Sequence, residues 1–208
     1  MTTVATSQLG SDGVEARSAA REAAAPARVV PGQPDMWVFV LFEALVFTAY
    51  FGVYIIRRTQ HPDLFLQSQA HLDLRIGAFN TLLLLASSWS VARCVHAAGG
   101  RSFRAAATYA FLTMLFGFAF LVSKVLEWAS KVADGFGLTS DEFFSFYYFL
   151  TAIHFLHLLI GFVVLAIAFH QIRSPARRSQ ETIETCATYW HTVDLLWVMI
   201  FALLYVVR

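Results

Sequence analysis

Residues 143–169 read FFSFYYFLTAIHFLHLLIGFVVLAIAF. None of these 27 residues is Asp, Glu, Lys or Arg. As an α-helix the run would extend roughly 40 Å at about 1.5 Å per residue, against a hydrocarbon core of about 30 Å. Inside lipid the backbone must satisfy its own hydrogen bonds, and a continuous apolar run does so by coiling into a helix. The segment therefore reads as a spanning helix that tilts or projects beyond the core.

Four further apolar runs share this character: 36–56, 76–95, 105–126 and 187–207. Each is long enough to cross a bilayer. A β-barrel would show alternating segments of roughly ten residues, and these runs do not alternate. The expected fold is all-α, an integral membrane bundle of five transmembrane helices over residues 36–208. Composition agrees: the 208 residues are 58% hydrophobic and only 14% charged, where a soluble domain carries about 25% charged residues. A net charge of +1 gives no reason to expect nucleic acid as a partner. Cys94 and Cys186 fall in no CxxC or CxxH spacing, which argues against a disulfide framework or a structural zinc site.

Residues 1–35 are different. They are rich in Ala, Ser, Gly and charged residues, with three Pro, and read as a disordered N-terminal tail. They contain no apolar stretch of about 7–15 residues such as a secretory signal needs. The tail is either a solvated arm or a docking arm for a partner.

Loop charges orient the bundle. Arg17, Arg21, Arg28, Arg93, Arg101, Arg104, Arg173, Arg177 and Arg178 fall on one side; Arg57, Arg58, Arg75, Lys131, Arg208 and Lys124 fall on or near the other. The positive-inside bias places the amino terminus in the cytoplasm and the carboxyl terminus outside.

Polar residues inside the spans carry the functional information, because a charged group in hydrocarbon costs about 2.5–3.5 kcal/mol even on the gentlest scale. Glu43, in LFEALVF, has no basic neighbour in its own helix. It reads as a proton-handling or head-group-binding carboxyl, or as a neutral acid bonded between helices. His154 and His157, in TAIHFLHLLIG, lie three apart on one face. They suit a metal or haem, or hydrogen bonds between helices. Haem ligation would require a facing His at equal depth, and His191 lies nearer the cytoplasmic end. His191 and Asp194, in YWHTVDLLW, are also three apart; they pair with each other or bind a group on another chain or a lipid head. With Ser87 and Ser88 they contain the residue types of a hydrolytic triad, but there is no G-x-S-x-G elbow. Lys124 and Glu127 read as an i,i+3 ion pair at the external interface, with the lysine snorkelling to water. Asn80, Thr81, Ser87 and Ser88 form a small polar stripe for close helix packing.

Several blocks occur in the order found in the cytochrome c oxidase subunit III family, and the chain resembles that family from residue 36 to its end. WVFVLFEALVFTAYF (37–51) is similar to the helix whose buried glutamate reacts with carbodiimide. FNTLLLLASSWSVARC (79–94), KVLEWASKVADG (124–135) and FYYFLTAIHFLHLLIG (146–161) resemble the helices that follow, and TYWHTVDLLWVMIF (188–201) resembles the last helix. The family commonly has seven helices, and this chain matches the last five. Five-helix bacterial forms include accessory proteins of nitric oxide reductase.

The resemblance implies a chain that is not catalytic alone and binds no haem or copper of its own. It would sit in the bacterial plasma membrane beside a catalytic haem–copper subunit I, or beside the haem and non-haem-iron large subunit of a nitric oxide reductase. It would support assembly, stability and proton uptake, with phospholipid as a possible bound component. By resemblance Glu43 is the buried carboxyl, protonated at rest. His154, His157 and Glu127 make inter-helix polar contacts, and His191 and Asp194 anchor the last helix.

Overall fold

The computed structural model describes residues 33–174 and 178–207. Nearly all of the expected tail, together with Arg177 and Arg208 of the charge count, lies outside the described residues.

The described chain is helical, with no strand among its residues. Helix α1 is Pro34–Gln60, α2 Pro62–Gln69, α3 Leu74–Gly99, α4 Phe103–Ala133, α5 Glu142–Arg173 and α6 Gln180–Phe201, the last widening into a π-helical turn at Ala202–Val206. Five of these helices are long and apolar enough to cross a membrane: α1, α3, α4, α5 and α6.

Local chemistry explains the ends. Proline opens α1, where a missing N–H costs nothing, and Asp35 at its start and Arg57 and Arg58 at its end complement the helix dipole. The Asp141 carboxylate caps α5 by accepting from the Phe144 N–H at 2.7 Å, and Ser179 caps α6 by accepting from Thr182 N–H at 3.2 Å. Gly135, at φ +90°, stops α4. The N–H groups of Phe136 and Gly135 then return to Lys131 and Val132 carbonyls at 2.9 and 3.0 Å, the double closure of a Schellman end.

The helices run past the apolar runs that revealed them. α4 continues seven residues beyond 126 and α6 begins seven before 187, because helix persists through amphipathic turns that leave the lipid core. α5 has 32 residues, or about 48 Å, so it does project beyond the core. The short helix α2 is an addition to the expected elements. At eight residues it is too short to cross a bilayer, yet its Phe65 is fully buried against the rings of Tyr54, Phe143 and Phe146.

The inner faces carry small residues where helices meet closely. Ser87 donates to the Thr113 carbonyl at 3.1 Å across α3 and α4, and Thr81 accepts from the Trp197 indole at 3.1 Å. The Trp190 indole on α6 donates to Ser87 at 2.8 Å and fits between two glycines. A Cβ added at Gly117 or Gly161 would stand 2.9 Å from its ring, so only glycine leaves it room. Outward faces present Leu41, Phe42, Leu45, Phe118, Leu126 and Val163 to the surroundings, as a lipid-facing surface must.

Candidate functional site

Glu43 on α1 meets His157 on α5, with Oε2 and Nε2 3.2 Å apart and both side chains mostly buried. The other ring nitrogen, Nδ1, lies 2.8 Å from the Ile153 carbonyl one turn back. A carbonyl can only accept, so Nδ1 carries a hydrogen. A hydrogen bond to Glu43 then requires one proton at the contact, either on the acid, donated to a bare Nε2, or on an imidazolium facing a carboxylate. The pair is neutral in both forms, which is what a low-dielectric setting tolerates. Phe47 packs edge-on to the imidazole, and Tyr189 on α6 donates to the His157 carbonyl at 3.1 Å. Three helices therefore converge here.

The second polar group is sealed. Lys124 and Glu127 are paired at 3.1 Å, each side chain 1% exposed. Snorkelling is thus corrected: the ammonium stays inside because three acceptors meet it. These are Glu127 Oε2, the Tyr147 hydroxyl at 3.2 Å and the Tyr205 hydroxyl at 2.9 Å, one for each N–H of an ammonium. Both tyrosines in turn donate to Glu127 Oε1. Every strong donor of the cluster is used. The rings of Tyr147, Trp197 and Tyr205 lie within 5.5 Å of Nζ, a further attraction for the cation. Neither tyrosine stands out in the sequence. The available signal is a phenol hydroxyl in an apolar run, which needs a partner when buried.

His154 differs from its neighbour three residues on. It is fully buried, its ring lies against Phe120 and Trp197 at 5.6 and 5.3 Å, and neither nitrogen has a hydrogen-bond partner among the described residues. The expected inter-helix polar contact is not made. The helix pitch turns His157 to α1 and His154 to the aromatic interior, so the two rings serve different neighbours.

His191 and Asp194 do not bond to each other either. Ser88 Oγ on α3 sits 2.7 Å from His191 Nδ1. It also lies near the buried Asp194 carboxyl, although neither carboxyl oxygen attains hydrogen-bond distance and angle. Ser88 thus ties α6 to α3, a partner that spacing within one helix could not reveal. Among the described residues, no three His, Cys, Asp or Glu side chains gather as a metal site would require.

The arrangement is a carboxyl–imidazole pair and a closed ionic cluster in a helical bundle. Residues 28–207 match the family model described as cytochrome c oxidase subunit III. The chain belongs to the cytochrome c oxidase subunit III family. It is 27% identical over 172 residues to the cytochrome bo(3) ubiquinol oxidase subunit 3 of Buchnera aphidicola, covering 82% of this chain and 83% of that protein. It is 29% identical over 182 residues to cytochrome c oxidase subunit 3 of Synechocystis, covering 84% and 77%. It is 24% identical over 171 residues to quinol oxidase subunit 3 of Bacillus subtilis, covering 81% and 83%. Subunit III is a non-catalytic, multi-pass membrane subunit of haem–copper oxidases, and this agrees with the family expected from the sequence blocks. None of these matches supports the nitric oxide reductase alternative.

Proposed function

We propose that this chain is the third, non-catalytic subunit of a terminal haem–copper oxidase in a bacterial plasma membrane, with its amino terminus in the cytoplasm. Its partner is the catalytic subunit, which carries the haem and copper through which electrons pass. Phospholipid of the surrounding bilayer accompanies the complex. Family membership over nearly the whole chain supports the partner, and the loop arginines support the orientation.

The observation that carries the proposed contribution to proton uptake is the Glu43–His157 contact at 3.2 Å. It is a carboxyl and an imidazole sharing one proton within a span, where an isolated charge would be expelled. Glu127, held by Lys124, Tyr147 and Tyr205, and His191, held by Ser88, act as fasteners between helices and keep that pair at a fixed depth.

The test is recovery of the affinity-tagged full chain in mild detergent, with identification of what accompanies it. A haem–copper catalytic subunit in comparable amount is the expected result. Recovery of the chain alone overturns the proposal, as does a haem and non-haem-iron subunit in its place.

A further inference from the structure

Asp194 on α6 differs from the other carboxyls within the bundle. Glu43 and Glu127 each face a nitrogen. Asp194 is 4% exposed, yet neither of its oxygens has a hydrogen-bond partner, and it enters no ion pair among the described residues. A carboxylate with neither a donor nor a cation beside it is costly in a low-dielectric span, and the uncharged acid is the form such a place tolerates. An uncharged acid carries an O–H, which needs an acceptor.

The packing of α3 against α6 brings one near. Trp190 donates to Ser87 at 2.8 Å and Trp197 to Thr81 at 3.1 Å, so the two helices run antiparallel and Ser88 stands opposite the turn from 191 to 194. His191 and Asp194, three residues apart, share the face of that turn. Ser88 Oγ is 2.7 Å from His191 Nδ1 and also lies near the Asp194 carboxyl. A serine hydroxyl donates once and accepts at two lone pairs. While it donates to Nδ1, it still has room to accept from an acid. The His191 ring is partly exposed and sits near the start of the apolar run 187–207, so it gives this buried group an edge that reaches the surroundings.

We infer that Asp194 is a proton-exchanging acid whose proton passes through Ser88 to His191. A small rotation of the carboxyl brings its O–H onto Ser88 Oγ. The Asp194 O–H bond then breaks, its proton joins Ser88 Oγ, and Ser88 gives its own proton to His191 Nδ1. The imidazolium so formed releases the proton on Nε2 to water at its exposed edge, which leaves one carboxylate and a neutral ring. With the hydrogen now on Nδ1, Ser88 accepts there and donates to the carboxylate, so the same contacts suit both states. The reverse steps restore the acid. The inference goes beyond the oxidase reading, concerns a carboxyl other than Glu43, and rests only on the chain spanning a membrane.

The experiment is infrared spectroscopy of the purified full chain in mild detergent at neutral pH, with aspartate isotopically labelled at the side-chain carboxyl. The label displaces the carbonyl stretch of a protonated aspartic acid, which identifies the band without a substitution; D194N should abolish it. In heavy water the band shifts as its proton exchanges. Exchange in S88A and in H191F should slow by about tenfold or more, a modest figure for removal of a positioned proton-transfer group. S88T keeps the hydroxyl and should exchange nearly as the wild type does. Loosening of the bundle would speed exchange, so a merely structural role for Ser88 predicts the opposite sign. Helical circular dichroism of each variant verifies folding, and should S88A not fold, H191F carries the test.

Absence of a protonated aspartic band from the wild type overturns the inference. Exchange in S88A or H191F as fast as in the wild type, or faster, overturns it equally. Because the measurement is made on the chain alone, its failure is distinct from failure of the oxidase reading.

Discussion

Glu43 Oε2 and His157 Nε2 stand 3.2 Å apart, while the opposite ring nitrogen is 2.8 Å from the Ile153 carbonyl. The carbonyl fixes where the imidazole keeps its own hydrogen, and a hydrogen bond at the contact then places one proton between an acid and a base. Two groups that would each be costly alone in a span thereby satisfy each other.

This geometry distinguishes two substitutions at one position. Glu43→Gln keeps a donor facing His157 and should preserve assembly, at a cost of about 1 kcal/mol for the weaker neutral bond. Glu43→Ala leaves the imidazole Nε2 unpartnered and should cost about 1.5–3 kcal/mol. The side chain is not fully enclosed, at 13% exposed, so a hydrophobic carbodiimide should modify the wild type at this residue and not Glu43→Gln. Proton-coupled turnover of the complex should fall in Glu43→Gln. Normal proton uptake with normal assembly would reduce the pair to a packing contact.

The Lys124–Glu127 cluster calls for a double-mutant cycle. Lys124→Met strands a buried carboxylate and Glu127→Leu strands a buried ammonium, and each should destabilise by about 3–5 kcal/mol. The double variant removes both charges at similar volume and should recover most of that loss, since a buried pair is often no better than a well-packed apolar one. Detergent-denaturation midpoints provide the comparison. Additive losses in the double variant would show that the pair is not energetically coupled.

How far the sequence reaches is clear from these two sites. The five spans follow from one property, an apolar run long enough for a bilayer, because the bilayer imposes a length that no soluble core imposes. The spacing of Lys124 and Glu127 gives their ion pair directly, since residues three apart on a helix are neighbours. It cannot give the enclosure, which comes from Tyr147 on α5 and Tyr205 beyond α6, 20 and 78 residues from Glu127. Glu43 attracts notice by having no partner in its own helix, yet the partner lies on another helix. Ser88 and His191 are 103 residues apart. Periodicity orders a helix against itself; which helix it faces is decided by packing of the bundle. Helix α2 escapes for a different reason: its stability comes from Phe65 inserted among Tyr54, Phe143 and Phe146, a tertiary contact rather than a local pattern.

The Trp190 seat gives a prediction about volume. A methyl at Gly117 or Gly161 would lie 2.9 Å from the indole, closer than carbon atoms pack. Gly117→Ala and Gly161→Ala should each destabilise by about 1–3 kcal/mol through overpacking. In a Trp190→Phe background the smaller ring makes room, and the cost of either alanine should fall by about 1 kcal/mol or more, the coupling expected of residues in contact. Trp190→Phe alone should lose the bond to Ser87, 2.8 Å in the wild type. Thermal unfolding in detergent measures all of these. Equal alanine costs in both backgrounds would mean that the glycines serve something other than the indole.

The two histidines of the HxxH spacing should respond in opposite ways. His154 is enclosed by Phe120 and Trp197 with both nitrogens unpartnered among the described residues, and an unpaired buried polar group costs about 1–3 kcal/mol. His154→Leu removes that penalty at nearly the same volume and gives up aromatic contacts of about 0.5–1.5 kcal/mol, so stability should be unchanged or slightly higher. His157→Leu instead strands Glu43 in the span and should destabilise by about 2–3 kcal/mol. Assembly with the catalytic subunit should survive the first substitution and weaken in the second. A His154→Leu chain that fails to assemble while His157→Leu assembles normally would reverse these roles, placing the working imidazole in the aromatic interior.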